Sequence, residues 1–302
     1  MIGLTFDGTT LTAATLSDGG EIFASAEQIA PDTDYRAWLL AVCAVIEQVR
    51  TPHNAGDALG VALPAIIQND AVTYSAFSLL TDTSIRRDLQ SALGMPVSVH
   101  NIGESLAAQA CRTGAATGAH LAVAMWIGNS CHGGLAIDGQ PVTGAHGAAA
   151  NWPHLQLPAP VPHELDGRVC WCGRSGCLES FLSTAGLEGD YQRVTGEWRA
   201  AADITCASAN SDIVADSVIQ VFEDRLGRAT ATIISLFDPD VIVLGGTFVN
   251  LPRLCERLPR KWPGYVQVDR SRTRLVGSEG GIHAVTAGAA MLAADTARLA
   301  GS

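Results

Sequence analysis

Ile2-Gly3-Leu4-Thr5-Phe6-Asp7-Gly8-Thr9-Thr10-Leu11-Thr12-Ala13-Ala14-Thr15-Leu16 is the stretch from which the fold is read. Two short β-favouring runs, 2–6 and 11–16, flank Asp7-Gly8-Thr9-Thr10, and Asp-Gly between such runs is a strong hairpin signal. Ser17-Asp18-Gly19-Gly20 predicts a second turn and 21–25 a third strand, so the chain opens on an antiparallel meander. The pattern recurs at 120–137. Strands over 120–127 and 133–137 surround a glycine-bearing turn, Gly128 to His132, and Asp138-Gly139 turns the chain again. One pattern in both halves predicts a duplicated fold.

Between and after the meanders the periodicity is helical. Leu39, Leu40, Val42, Cys43, Val45 and Ile46 mark a helix over 35–49. A buried strand over 58–63 ends at Pro64, Thr83 is placed to cap a helix to Leu93, 97–100 is a strand and 104–112 a helix. The small residues of 113–118 predict a hinge. Further on come a long amphipathic helix over 211–237, an apolar strand over 241–244 and an alanine-rich helix over 285–299. Strands alternating with helices give an α/β class. The predicted division is an N-terminal domain over 1–117, joined by the helical segment 285–302, and a larger domain over 118–284.

Composition bounds the partners. Apolar residues are 47% and charged ones 16%, a globular balance, and the net charge of −11 argues against nucleic acid or an anionic membrane. No run of about 18 apolar residues predicts a membrane span, and the start lacks a basic leader, so the expectation is a cytoplasmic protein.

Three of eight cysteines crowd into Cys170-Trp171-Cys172-Gly173-Arg174-Ser175-Gly176-Cys177. With His154 upstream, across a loop bearing Pro153, Pro158, Pro160 and Pro162, they offer three thiolates and one imidazole. That set suits tetrahedral Zn²⁺ of the closed, structural type. His163 competes with His154 as fourth ligand on spacing alone. The bland alternative, buried apolar thiols, is read for Cys43, Cys111, Cys206 and Cys255, which stand alone in helical sequence.

Cys170 to Glu179 resembles the C-x-C-G-x-x-G-C-[LI]-E signature of the ROK family (repressors, open reading frames and sugar kinases). Gly144 to His154 resembles its G-x-x-G-x-A-G-E-x-G-H, and Asp238 to Gly246 its nucleotide-side strand and glycine turn. The loop from His154 to Cys170 and the segment 181–196 are most similar to the bacterial fructokinase-like branch. The resemblance implies an actin-like ATPase (ribonuclease H-like) fold, two domains with a duplicated core and a cleft holding sugar and ATP with Mg²⁺. It further implies a homodimer, a structural zinc on His154, Cys170, Cys172 and Cys177, and sugar contacts from Asn101, Asn151, His154 and Glu179. The nucleotide positions it implies are Gly8, Thr9, Gly128, Gly134, Gly245 and Gly246.

Phosphoryl transfer to a sugar hydroxyl needs a base, phosphate-binding NH groups and a metal ligand. The family's opening D-x-G-G-T-K falls on Thr5-Phe6-Asp7-Gly8-Thr9-Thr10, so its Asp is Thr5 and its first Gly is Asp7. A carboxylate about 4 Å from a phosphate costs about 1–4 kcal/mol, and Asp7-Gly8 reads better as a plain hairpin turn. The second phosphate loop, Gly128-Asn129-Ser130-Cys131-His132-Gly133-Gly134, carries Asn129 for the family Thr, with Ser130 and His132 for glycines. The Asn-Asp catalytic pair is Asn101-Ile102, and isoleucine takes no proton. Glu104, about 200° further round the helix, is expected to point away from the Ile102 position. Asn151 replaces the sugar-binding Glu. Three readings follow: a working hexose or fructose kinase with an unusual base, a non-catalytic sugar-binding or regulatory relative, and a repressor. Family repressors carry a helix-turn-helix ahead of the first strand, where this sequence starts, so the last is weakest. The sequence favours a sugar-kinase homologue with impaired catalysis.

Overall fold

The computed structural model describes residues 1–302 apart from 18, 33, 52–57, 166, 250, 252, 269, 270, 301 and 302. Asp18 of the second predicted turn, Asp166 of the proline-bearing loop and the last two residues of the 285–302 segment therefore lie outside the described residues.

In the first half, β1 (Ile2–Phe6), β2 (Thr10–Leu16) and β3 (Ile22–Ile29) form the expected meander, with Ile2 opposite Thr15 and Phe6 opposite Leu11. Helix α1 (Tyr35–Val49) starts on Asp34, whose carboxylate accepts from Arg36 N and Ala37 N. It buries Trp38, Ala41, Val42, Val45, Ile46 and Val49, the i, i+3, i+4, i+7 stripe that seals the sheet. Strand β4 (Leu59–Leu63) pairs parallel to β1. A hairpin of β5 (Ala65–Gln68) and β6 (Ala71–Ser75) follows, then α2 (Ile85–Leu93), β7 (Val97–Asn101) and α3 (Ile102–Arg112). Thr83 does not cap α2. Its hydroxyl bonds back to Leu80 O, and the cap position is Ser84, whose side chain makes no capping bond.

The second half repeats the plan. β8 (Leu121–Ile127), β9 (Cys131–Ile137) and β10 (Gln140–Pro141) form a meander. After the loop come α4 (Glu179–Leu182), α5 (Thr184–Thr195), α6 (Ala201–Ala209), α7 (Ile213–Phe237), β11 (Val241–Gly246), α8 (Leu254–Arg257), β12 (Arg274–Gly277) and α9 (Ile282–Ala300). The strand orders are β3-β2-β1-β4-β7 and β10-β9-β8-β11-β12, one topology twice. Parallel β4 and β11 lie beside the first strand of each meander.

α9 packs on the first sheet and on α3, and glycines make that approach possible. A Cβ on Gly3 or Gly60 would overlap backbone of Thr286 or Ala289, and one on Gly288 would overlap Ser105 O. An apolar cluster at this seam joins Ala62, Ile102, Leu106, Val243 and Val285. No helix among the described residues is long and apolar enough to cross a membrane.

Candidate functional site

A cavity of about 20 Å³ lies between the halves, lined by Ile66 of β5, Asn101, Glu104 of α3, Gly134 of β9, Thr143 and Asn151, among others. That is room for about one water. Two contacts narrow it. Gln68 Nε2 donates to His146 O at 2.9 Å, and Gly147 (φ +62°) lies so close to Ile67 O that a Cβ would overlap it.

Asn101 reaches the cavity with its amide committed. As N-cap of α3 its Oδ1 accepts from Gly103 N at 2.6 Å, and its Nδ2 donates to Ala65 O at 2.9 Å. Ile102 is fully buried in the seam cluster. The rotation expected between Ile102 and Glu104 holds, but its consequence is reversed: Ile102 is the residue packed in the core, and Glu104 lines the cavity. His100 Nδ1 stands 3.7 Å from Glu104 Oε1, and His100 Nε2 lies 2.9 Å from Ser98 Oγ.

On the expected nucleotide side Thr5, Asp7, Thr9, Asn129 and His132 are already engaged within the protein. Thr5 is buried, its hydroxyl 2.8 Å from that of Thr286. Asp7 Oδ1 accepts from Thr9 N (2.9 Å) and Thr10 N (2.8 Å), so the carboxylate caps its own hairpin turn. Gly8 has φ +104° and carries the Phe77 ring directly against it. Asn129 Nδ2 donates to Thr9 Oγ1 at 2.8 Å, tying the β8–β9 turn to the β1–β2 turn. His132 is buried with Nε2 2.7 Å from Ser130 Oγ; burial and, to a lesser degree, nearby His154 push it down to about 3, so the ring is neutral.

The glycines have packing reasons. A Cβ on Gly134 would overlap Gly103 O where β9 meets α3, and one on Gly246 (φ +101°) would overlap Ile127 O. A Cβ on Gly245 would stand 2.7 Å from Leu106 Cδ2, and one on Gly128 would stand 3.0 Å from Trp126 Nε1.

The cysteine loop does converge. Ligand atoms of His154, Cys170, Cys172 and Cys177 all lie within 4.8 Å of one another. Cys170 Sγ is 3.6 Å from His154 Nδ1, and Cys172 Sγ is 3.7 Å from Cys177 Sγ. Four ligands about 2.3 Å from a tetrahedral zinc stand about 3.8 Å apart, so the set fits the ion. Gly173 (φ +83°) and Gly176 (φ +76°) supply the turns. Burial pushes the Cys170 thiol up to about 12. For Cys172 burial also acts upward, but the Arg174 N–H and the neighbouring thiols bring it below its ordinary value. Burial and, to a lesser degree, the Arg174 charge push His154 below its ordinary value, which favours the neutral ring that can ligate. His163 is not in this set; it sits on the turn Pro162–Glu164 and faces a groove beside α7.

Glu179 is placed behind the loop rather than on the cavity. It is buried, accepts from Cys131 N at 2.9 Å, and burial pushes its carboxyl up to about 7. The isolated cysteines divide: Cys111 is buried, Cys43 and Cys255 are half-buried, and Cys206 is exposed, against the core reading for it.

Sequence reasoning missed the support behind this loop. Arg168 and Arg225 both bind Asp190, and Arg225 and Arg228 bind Glu164 at 2.7 and 2.8 Å, all in the interior. Arg168 and Arg225 also lie over the Phe181 ring, 4.3 and 4.9 Å from its centroid. The signal was present: Arg225 and Arg228 fall on the apolar face of the amphipathic helix over 211–237, and arginines there call for buried carboxylate partners.

Comparison with known proteins adds the following. The model of the ROK family matches residues 1–296. The chain is 29% identical over 233 residues to the N-acetylgalactosamine kinase AgaK of Shewanella sp. (strain ANA-3), covering 76% of each chain. It is 26% identical over 290 residues to the N-acetyl-D-glucosamine kinase of Escherichia coli O1:K1 / APEC, covering 93% of this chain and 96% of the relative. A ROK family glucokinase from Streptomyces griseus, solved with glucose and AMPPNP, superposes with a TM-score of 0.86 at 22% identity, covering 98% and 99% of the two chains. The two share a fold.

Proposed function

From the premise that the chain belongs to the ROK family and has its actin-like ATPase fold, we propose that it is a sugar-kinase homologue impaired in phosphoryl transfer. In this reading it works as a sugar-binding or regulatory relative. The observation that carries the reading is the state of the reaction positions. Ile102, where the family resemblance puts the base, is in the core, and the Thr9 hydroxyl and Asp7 carboxylate are spent on the protein itself.

A positioned base alone contributes about 10²–10⁴-fold. The named relatives act on N-acetylated hexosamines, which supports that class over fructose as the ligand. The arrangement also supports one structural zinc on His154, Cys170, Cys172 and Cys177, and a domain boundary near residue 118. A homodimer in the cytoplasm completes the reading, with the dimer resting on the family resemblance; sedimentation showing a monomer at micromolar concentration would remove it.

The test is a coupled assay of the purified chain with Mg·ATP and glucose, mannose, fructose, N-acetylglucosamine and N-acetylgalactosamine. Background turnover is expected. Turnover of any of them at about 1 s⁻¹ or faster, an ordinary enzymatic rate, overturns the reading.

A further inference from the structure

Resting on the sugar-binding reading above, and taking as the sugar site the small cavity where the expected contacts Asn101 and Asn151 meet, we infer that Glu104 is its specificity-determining carboxylate, accepting hydroxyls of a neutral sugar and excluding the phosphate ester.

The argument starts from what else the cavity offers. Both arms of Asn101 are bound to backbone, Asn151 carries no charge, and Glu104 is the one ionisable group among the described residues that line the cavity. Its side chain is 19% exposed, and no hydrogen-bond donor among the described residues reaches its carboxylate; His100 Nδ1 stops at 3.7 Å. The carboxylate keeps contact with water, and with no protein donor bound to it its lone pairs are left for donors that a ligand brings. Sugar hydroxyls are such donors, and a bond to an ionised acceptor is the strong kind.

The same charge repels a phosphate. Among the described residues no Lys or Arg lines the cavity to offset it. The narrow cavity of about 20 Å³ holds no hexose, so binding one requires it to widen where β5 meets the loop bearing His146 and Gly147. Residue type at 104 thus sets which ligand gains in the cavity and which loses.

The experiment is calorimetric titration of the full chain and of Glu104→Gln with N-acetylglucosamine, N-acetylgalactosamine, glucose and glucose 6-phosphate. The wild type is expected to bind at least one neutral sugar and to discriminate against the phosphate. Glu104→Gln should weaken the neutral sugar about ten- to a hundredfold and shrink the neutral-to-phosphate preference. Glu104→Asp keeps the charge and should keep that preference, so a folding defect in the glutamine variant does not decide the matter.

Unchanged affinities in Glu104→Gln, loss of the preference in Glu104→Asp, or no neutral sugar bound by the wild type would each overturn the inference. Rapid turnover of a bound sugar would overturn only the impaired-transfer reading and leave this one standing.

Discussion

Asn129 Nδ2 and Thr9 Oγ1 are hydrogen-bonded at 2.8 Å although 120 positions apart, so the turns of the two duplicated hairpins hold each other. Those turns are where the family resemblance places the nucleotide phosphates. A bond between them does two things: it uses the Thr9 hydroxyl, and it resists separation of the halves. Both side chains are exposed, so the bond sits at the weak end of the usual range. A double-mutant cycle of Thr9→Val and Asn129→Ala in urea melts should give a coupling of about 0.5–1 kcal/mol. Purely additive effects would mean that the two turns do not communicate.

Much of this arrangement is legible in the sequence, and the failures have physical causes. The Asp7-Gly8 turn and the cysteine spacing are local, and local chemistry decides them. The β5–β6 hairpin went unread although Asn69 and Asp70, both at positive φ (49° and 67°), form its turn; Asn-Asp is a weaker turn signal than Asp-Gly. Glu104 shows the larger limit. Helical geometry fixes the angle between residues 102 and 104, but tertiary packing decides which faces the core. α3 lies close against β9 at Gly103 and Gly134, and Ile102 is the residue turned into the core. The Arg225–Glu164 pair joins residues 61 apart in sequence, and no pattern short of the fold brings them together.

The thiol loop gives a prediction about metal. Protein purified without chelator should carry one zinc per chain, and Cys172→Ser should lose it together with much of the local order, because binding free energy here is folding free energy. The thiols must shed protons to ligate, and burial raises those of Cys170 and Cys177. Apparent metal affinity should therefore fall steeply as pH drops, with proton release on binding measurable in buffers of different ionisation enthalpy. Retention of full metal and stability by Cys172→Ser would refute this assignment.

The buried ionic cluster predicts an acid-sensitive step. Burial by itself would raise the Glu164 carboxyl, but hydrogen bonds from Arg228 and Arg225, with Val161 N–H, bring it down to about 2. An unfolded glutamate titrates near 4.3. The folded value is depressed, so the stabilisation is complete above about pH 5 and is lost as pH falls from there towards 2. The sum over that window is roughly 3 kcal/mol. Glu164→Gln should cost about 3–5 kcal/mol at pH 7 by leaving two buried guanidinium groups under-compensated. Its melting temperature should also vary less between pH 5 and 2 than the wild type's. Parallel pH profiles for the two proteins would rule out Glu164 as the source.

The last prediction concerns the attempt to rebuild the base. Ile102→Asp restores the family residue by name, but Ile102 is 0% exposed and packs with Leu106, Val243 and Val285 rather than lining the cavity. A carboxyl placed there loses apolar packing and gains no donor, which should cost about 3–5 kcal/mol and lower the melting temperature by roughly 5–10 °C. Burial would raise its folded pKa above the unfolded 3.9, so the deficit should be largest above that raised value and shrink as the medium is acidified towards 4. No kinase activity should appear. Thr5 remains bonded to Thr286, Asp7 still caps its turn, and Phe77 still covers Gly8. Thermal melts across pH alongside a Mg·ATP assay with N-acetylglucosamine check both halves of this. An Ile102→Asp protein as stable as the wild type and turning over sugar at about 1 s⁻¹ would mean that α3 can rotate to present position 102 to the cleft.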